Sequence, residues 1–312
     1  MQGSRWSRDR FGFPTTRRES IRLLAGFTLV SLTKRLHAEE PSAAEATARR
    51  RFEEVGLTNV GVSRSEHYLA LGDAQTDFRE EALAIAERLA GSYREYFTGK
   101  ELPVKFPDRR MTVVALKGRS SYAAFKGEEI PDAEAGHYDI DADRLVIFDS
   151  RGPGGLPGST NQRRINTLTL VHEAIHQLTF DTGLVSRESD VPVALSEGLA
   201  TFGELWTRDQ PRLGQFNRPR LLALKTHDWI PVEEILTDDT LFEKEDAAQS
   251  AYSIAWLLTH TLLKTRARQF KVYLDLVRTR KDATHRSADA EKAFGPLERL
   301  DRELKKLARN NL

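Results

Sequence analysis

The chain of 312 residues contains no cysteine. That absence removes disulfide staples, thiol nucleophiles, thiolate metal ligands and lipid attachment at cysteine. A metal centre here must be built from imidazole and carboxylate. Long hydrophobic runs are missing too. The apolar run at residues 23–32 has about ten residues, against the roughly 20 that a membrane-spanning helix needs. Excess charge of one sign is lacking as well: 47 Lys and Arg face 46 Asp and Glu, for a formal net charge of +1. This balance gives no electrostatic reason to expect a nucleic-acid partner. No repeat period is visible. The glycine- and proline-rich stretch Arg151-Gly152-Pro153-Gly154-Gly155-Leu156-Pro157-Gly158-Ser159 leads to no lysine, so it is not a phosphate-binding loop. It reads as a flap at a cleft mouth or as a plain linker.

What is present is a globular composition, 39% hydrophobic and 30% charged, on a chain long enough for a substantial core. The charge is uneven. Residues 1–38 hold eight Lys and Arg but only Asp9 and Glu19, which leaves the body mildly acidic, at about −5. The paired Arg17-Arg18, the apolar run after Arg22 and Leu36-His37-Ala38 resemble a twin-arginine export signal. Two positions depart from that pattern. Ser20 stands where a large apolar residue is usual, and Leu36 occupies the third place before the cut. The resemblance implies an exported protein, periplasmic or extracellular, with no stable membrane span after signal removal. The other reading is a basic tail followed by an amphipathic helix. Residues 39–58 are expected to form a linker or mobile helix.

The stretch that carries chemistry is Val171-His172-Glu173-Ala174-Ile175-His176-Gln177-Leu178. Histidines four apart share one face of an α-helix and can reach one metal ion. Glu173 is turned by about 100° from His172. It is therefore poorly placed as a ligand of that ion but well placed beside a bound water. Ile165, Leu168, Val171, Ala174, Ile175 and Leu178 predict a core-facing stripe. A hydrolytic zinc takes three protein ligands and keeps one position open. Glu197, a carboxylate in the apolar run Val191 to Phe202, supplies the third on a second predicted helix, with Asp190 as its cap and Pro192 in its first turn.

This combination resembles the gluzincin metallopeptidases of clan MA, with His-Glu-x-x-His on one helix and a glutamate ligand on the next. Glu197-Gly198-Leu199-Ala200 is more narrowly similar to a family of secreted bacterial gluzincin-like domains of unassigned substrate. The resemblance implies one Zn2+ held by His172, His176 and Glu197, with Glu173 as general base and Tyr252 as the donor to the oxyanion. It implies a peptide or protein substrate aligned on a sheet edge, for which residues 136–148 are the candidate, with His137 and Tyr138 on the cleft or on an ordinary surface. In thermolysin-like gluzincins an acid four residues after the glutamate ligand supports a histidine. That position here is Thr201, and Glu204, seven on, could substitute. His67, His227 and His260 are weaker site candidates. A competing reading is a zinc-bearing binding module on a peptidase scaffold without activity. A third is a helical structural protein with a coincidental motif.

The remaining pattern predicts strands ending at Leu71, over 111–116 and over 145–148. It predicts helices over 78–97 and 120–125, and six helical segments beyond residue 216. The expected fold is therefore α+β: a small mixed sheet with helices upstream, a mostly helical downstream half, and the metal site between them. A catalytic domain over 59–312 would divide at residues 183 and 184.

Overall fold

Strands whose side chains are buried on both faces read as continuous apolar runs, and Met111-Thr112-Val113-Val114-Ala115-Leu116 is such a run. In the computed structural model it is the middle strand, β3 (Met111–Leu116), buried throughout. Residues 41–102, 104–131, 134–150 and 160–312 are described, with 160–166 in backbone only. The expected export signal and glycine-rich flap lie outside the described residues.

The other strands are β1 (Gly61–Arg64), β2 (Tyr68–Gly72), β4 (Gly136–Asp139) and β5 (Arg144–Phe148), in the order β1-β2-β3-β5-β4. β2, β3 and β5 run parallel, while β1 and β4 pair antiparallel at the two edges. β4 is thus an edge strand, within the stretch expected to be one. β1 is short, polar and half-exposed, and its composition gave no strand signal.

The two sheet faces sort by side-chain parity. Leu69, Leu71, Val114, Leu116, Val146 and Phe148 pack under α1 (Ala43–Glu54) and α3 (Arg119–Lys126), through Ala48, Phe52, Tyr122 and Phe125. The stretch expected as a linker or mobile helix is thus, over 43–54, a helix with its apolar face on the sheet. Tyr68, Ala70, Met111, Val113, Ala115, Leu145 and Ile147 face α2 (Thr76–Thr98) and α4 (Thr160–Asp181), where the main core begins.

Downstream all regular structure among the described residues is helical: α5 (Val193–Gly203), α6 (Arg218–Ala223), α7 (Val232–Thr237), α8 (Ala248–Thr265), α9 (Ala267–Val277), α10 (Arg286–Phe294) and α11 (Leu297–Asn311), with two short 3₁₀ turns. The fold is α+β, as the pattern predicted. α11 buries Leu297, Leu300, Leu304 and Ala308, the spacing of one helical face. α5 lies between α4 and α8, and its two glycines permit that. A Cβ on Gly198 would stand 2.7 Å from the Ala255 carbonyl oxygen of α8, and one on Gly203 would stand 2.0 Å from Ile175 Cδ1 of α4. The Glu-Gly pair of the second helix thus has a packing reason: the ligand-bearing residue precedes a point of backbone-to-backbone approach.

Two local expectations are corrected. Leu168 is 40% exposed, whereas Val171, Ala174, Ile175 and Leu178 are buried. Leu168 lies four residues before His172, so it belongs to the histidine face and not to the core face. Asp190 does not cap α5. The Val193 N–H is accepted by Asp239 Oδ1 at 2.9 Å, and the Asp190 carboxylate instead holds Arg280 and Arg286, at 2.9 and 2.6 Å.

Candidate metal centre

α4 presents His172, His176 and Phe180 in one row, four residues apart. α5 brings Glu197 against the same row. The Nε2 atoms of His172 and His176 are 3.2 Å apart. Glu197 Oε2 lies 3.2 Å from His172 Nε2, and Oε1 lies 3.4 Å from His176 Nε2. Among the described residues, His172, His176 and Glu197 are a group of side chains able to hold a metal ion, with their ligand atoms all within 4.8 Å of one another. The separations allow a test of fit. Ligands about 2.05 Å from a tetrahedral zinc must lie about 3.3 Å from one another. The two imidazole nitrogens are spaced as that geometry requires, and each lies at a similar distance from one oxygen of the Glu197 carboxylate, Oε2 for His172 and Oε1 for His176. The donor set, two imidazoles and one carboxylate, suits zinc.

The far nitrogens are also occupied, as metal-bound imidazoles require. His176 Nδ1 lies 2.8 Å from Ser196 Oγ, and His172 Nδ1 lies 3.5 Å from Glu204 Oε1. Glu204 is itself held by Arg220, at 2.5 Å and 3.2 Å, and by Asn217 Nδ2 at 3.1 Å. The structure therefore brings Glu204 to the position proposed for it. Thr201 turns away and donates its hydroxyl to the Glu197 carbonyl. Ser196, Asn217 and Arg220 had not been singled out in the sequence. Ser196 had a signal, as a polar neighbour of Glu197 in an apolar helix. Asn217 and Arg220 had none, because they lie in a distant segment.

Burial alone would lower the His172 pKa. Hydrogen bonds to Glu197 and Glu204 outweigh it and push the imidazole up to about 10. Burial opposes ionisation of Glu197, yet the His176 and His172 imidazoles hold its carboxyl well below the usual range. Without a cation the cluster keeps a proton that neutral histidine would lack, so the site attracts positive charge. Burial raises the Glu173 carboxyl, and the two imidazoles draw it partly back. Its Oε2 accepts the Tyr138 N–H at 2.8 Å.

These side chains floor a cleft of about 480 Å3, lined also by His137, Tyr138, Ile140, Phe180, Arg187, Val191, Val193 and Tyr252. Tyr252, from α8, stands in the same cleft as Glu173 and the ligand set. Burial, with Glu197 and Glu173 nearby, keeps its phenol protonated well above the usual range. Its ring receives the Arg220 guanidinium 5.5 Å from the centroid. His137 and Tyr138 both line the cleft. Three other histidines are elsewhere. His67 bonds Glu87 at 2.8 Å, exposed His227 lies 2.8 Å from the Ala223 carbonyl, and His260 packs among Phe202, Phe216 and Trp256.

The α+β frame and the two-helix histidine–glutamate cluster define a candidate metal centre in an open cleft. Residues 166–283 are similar to a family described as a protein of unknown function (DUF1570). That span holds the three ligand candidates together with Glu173, Glu204 and Tyr252. No curated protein matches the chain.

Proposed function

We propose that the protein is a zinc-dependent peptide-bond hydrolase of the gluzincin kind, exported from the cell. The observation that carries this reading is the convergence of His172, His176 and Glu197, their ligand atoms within 4.8 Å of one another, on the floor of an open cleft with Glu173 beside them. When bound there, zinc would supply a water acidified to a pKa near 7 and a Lewis acid for the carbonyl oxygen. Glu173 would serve as the base, accepting a proton on one carboxylate oxygen while the other is anchored by the Tyr138 N–H. The same carboxyl, its affinity for protons raised by burial, returns the proton to the leaving amine. Tyr252, still protonated at neutral pH, donates its phenol hydrogen to the oxygen that gains negative charge. Ser196 and Glu204 keep the two imidazoles turned toward each other.

Metal analysis combined with peptide-library cleavage tests this. Wild type should carry one zinc and cut peptides. Glu173→Gln should keep the zinc and lose activity by about 10²–10⁴-fold. Equal inertness of both proteins, with zinc retained, would favour a binding module, and absence of zinc from both would defeat the metal reading altogether.

A further inference from the structure

The loop between α4 and α5 carries an arginine for which the hydrolytic chemistry has no direct use. Arg187 reaches three elements at once. Its Nε and Nη2 lie 3.1 and 2.6 Å from the Tyr138 phenol oxygen, on β4. Its Nη2 also pairs with Asp143, in the β4–β5 turn, and with Asp181, at the end of α4. Arg109 pairs with the same two carboxylates. Two arginines and two aspartates are neutral as a group, so this end of the cleft offers charged ligands little attraction. What the group supplies is geometry. The Asp181 side chain is fully buried, and Asp143 holds a left-handed backbone with φ +52°. The Tyr138 ring stacks on Phe180 at 6.1 Å and 18°.

The same tyrosine is fixed at its other end, since its amide donates to Glu173 Oε2 at 2.8 Å. We infer that Arg187 is a positioning residue. Through the Tyr138 phenol it sets β4 against the metal helix at the spacing that lets the Tyr138 N–H meet the Glu173 carboxylate. The structural half of this inference stands alone, and its consequence for catalysis rests on the hydrolase reading.

The test uses Arg187→Met, which removes the fork but keeps an apolar stem, and Tyr138→Phe, which keeps the ring and amide but removes the phenol. Arg187→Lys keeps the charge without the fork. Amide exchange in the zinc-free full chain reads the contact without any activity. Each single variant should speed exchange of the Tyr138 amide by about tenfold, the worth of one hydrogen bond to a charged group. The double variant should fall well short of the product of the two, because both cut the Arg187–Tyr138 contact, although Tyr138→Phe also removes the hydroxyl's 3.1 Å bond to Asp143 Oδ1. Amides of residues 171–178 should keep their protection, and one zinc should still bind. On a cleaved peptide, kcat should fall about 10–100-fold with KM nearly constant, as expected for a misplaced catalytic group, and Arg187→Lys should recover part of the loss. Unchanged Tyr138 exchange in Arg187→Met would overturn the inference. So would multiplicative effects in the double variant, or equal loosening of α4 in Arg187→Met with none in Tyr138→Phe. If wild type cleaves no peptide, the hydrolase reading fails and the exchange cycle still decides the role of Arg187.

Discussion

Single side chains in this molecule do more than their type suggests, and Glu204 shows how. It touches His172 on the nitrogen away from Glu197 and is itself gripped by Arg220 and Asn217. Glu204→Gln would leave the donor set intact but weaken the acceptor that orients the ring. Zinc affinity should fall about 10–100-fold, measured by competition with a chromophoric chelator; an unchanged affinity would mean that the ring is oriented by other contacts. His260 shows the opposite case. Burial among aromatic rings, with Lys264 nearby, lowers its pKa to about 4 from the ordinary 6.5. The unfolded chain takes up this proton below pH 6.5, whereas the folded chain resists it until about pH 4. Between those values the unfolded state binds more protons, so folding stability should fall as pH falls. Denaturant titrations at pH 6.5 and 5.2 should show a steeper loss for wild type than for His260→Leu, and identical slopes would show that His260 titrates normally.

At the scale of elements, the centre depends on how closely three helices approach. α5 can lie this close to α8 because glycine stands at 198, where a Cβ would strike the Ala255 carbonyl, while at 203 a Cβ would meet the end of the Ile175 side chain of α4. Gly198→Ala forces a methyl against a backbone carbonyl that has no free rotamer to move. Overpacking of this kind costs about 1–3 kcal/mol, and thermal melts should show it. The displacement acts on the residue directly after Glu197, so zinc should also bind less tightly. Normal stability with normal zinc binding would show that α8 can retreat. Only part of this was legible beforehand. The two histidines are fixed by the local geometry of one helix, and Glu197 stood out as a lone acid in an apolar run. The acid that caps α5 is Asp239, distant in sequence, whereas Asp190 is adjacent. Proximity along the chain favoured the wrong acid.

At the scale of the whole molecule, the centre joins the sheet-bearing half to the helical half. His172 and His176 belong to the helix packed on the sheet, and Glu197 to the first helix after it. Cation binding should therefore stabilise the folded body as a unit. Zinc at a hundredfold excess over its dissociation constant adds about 2.7 kcal/mol, which for a body of this size raises the melting temperature by roughly 5 °C. Chelator should reverse the shift, and His176→Ala should abolish it. A melt indifferent to zinc in wild type would indicate that these side chains hold no ion.

The amino-acid sequence determined what depends on short-range periodicity. This covers the α+β class, the two-sided burial of β3, the histidine face of α4, and the choice of imidazole and carboxylate imposed by the absence of cysteine. Tertiary structure alone decided which distant groups complete the site: Arg220 behind Glu204, the Tyr138 amide on Glu173, and Arg187 joining strand, turn and helix. The physical reason is that helix and strand periods reach only a few residues. Contacts across tens of residues arise when separate faces are buried together, and no local pattern encodes which polar groups that burial will bring into bonding distance.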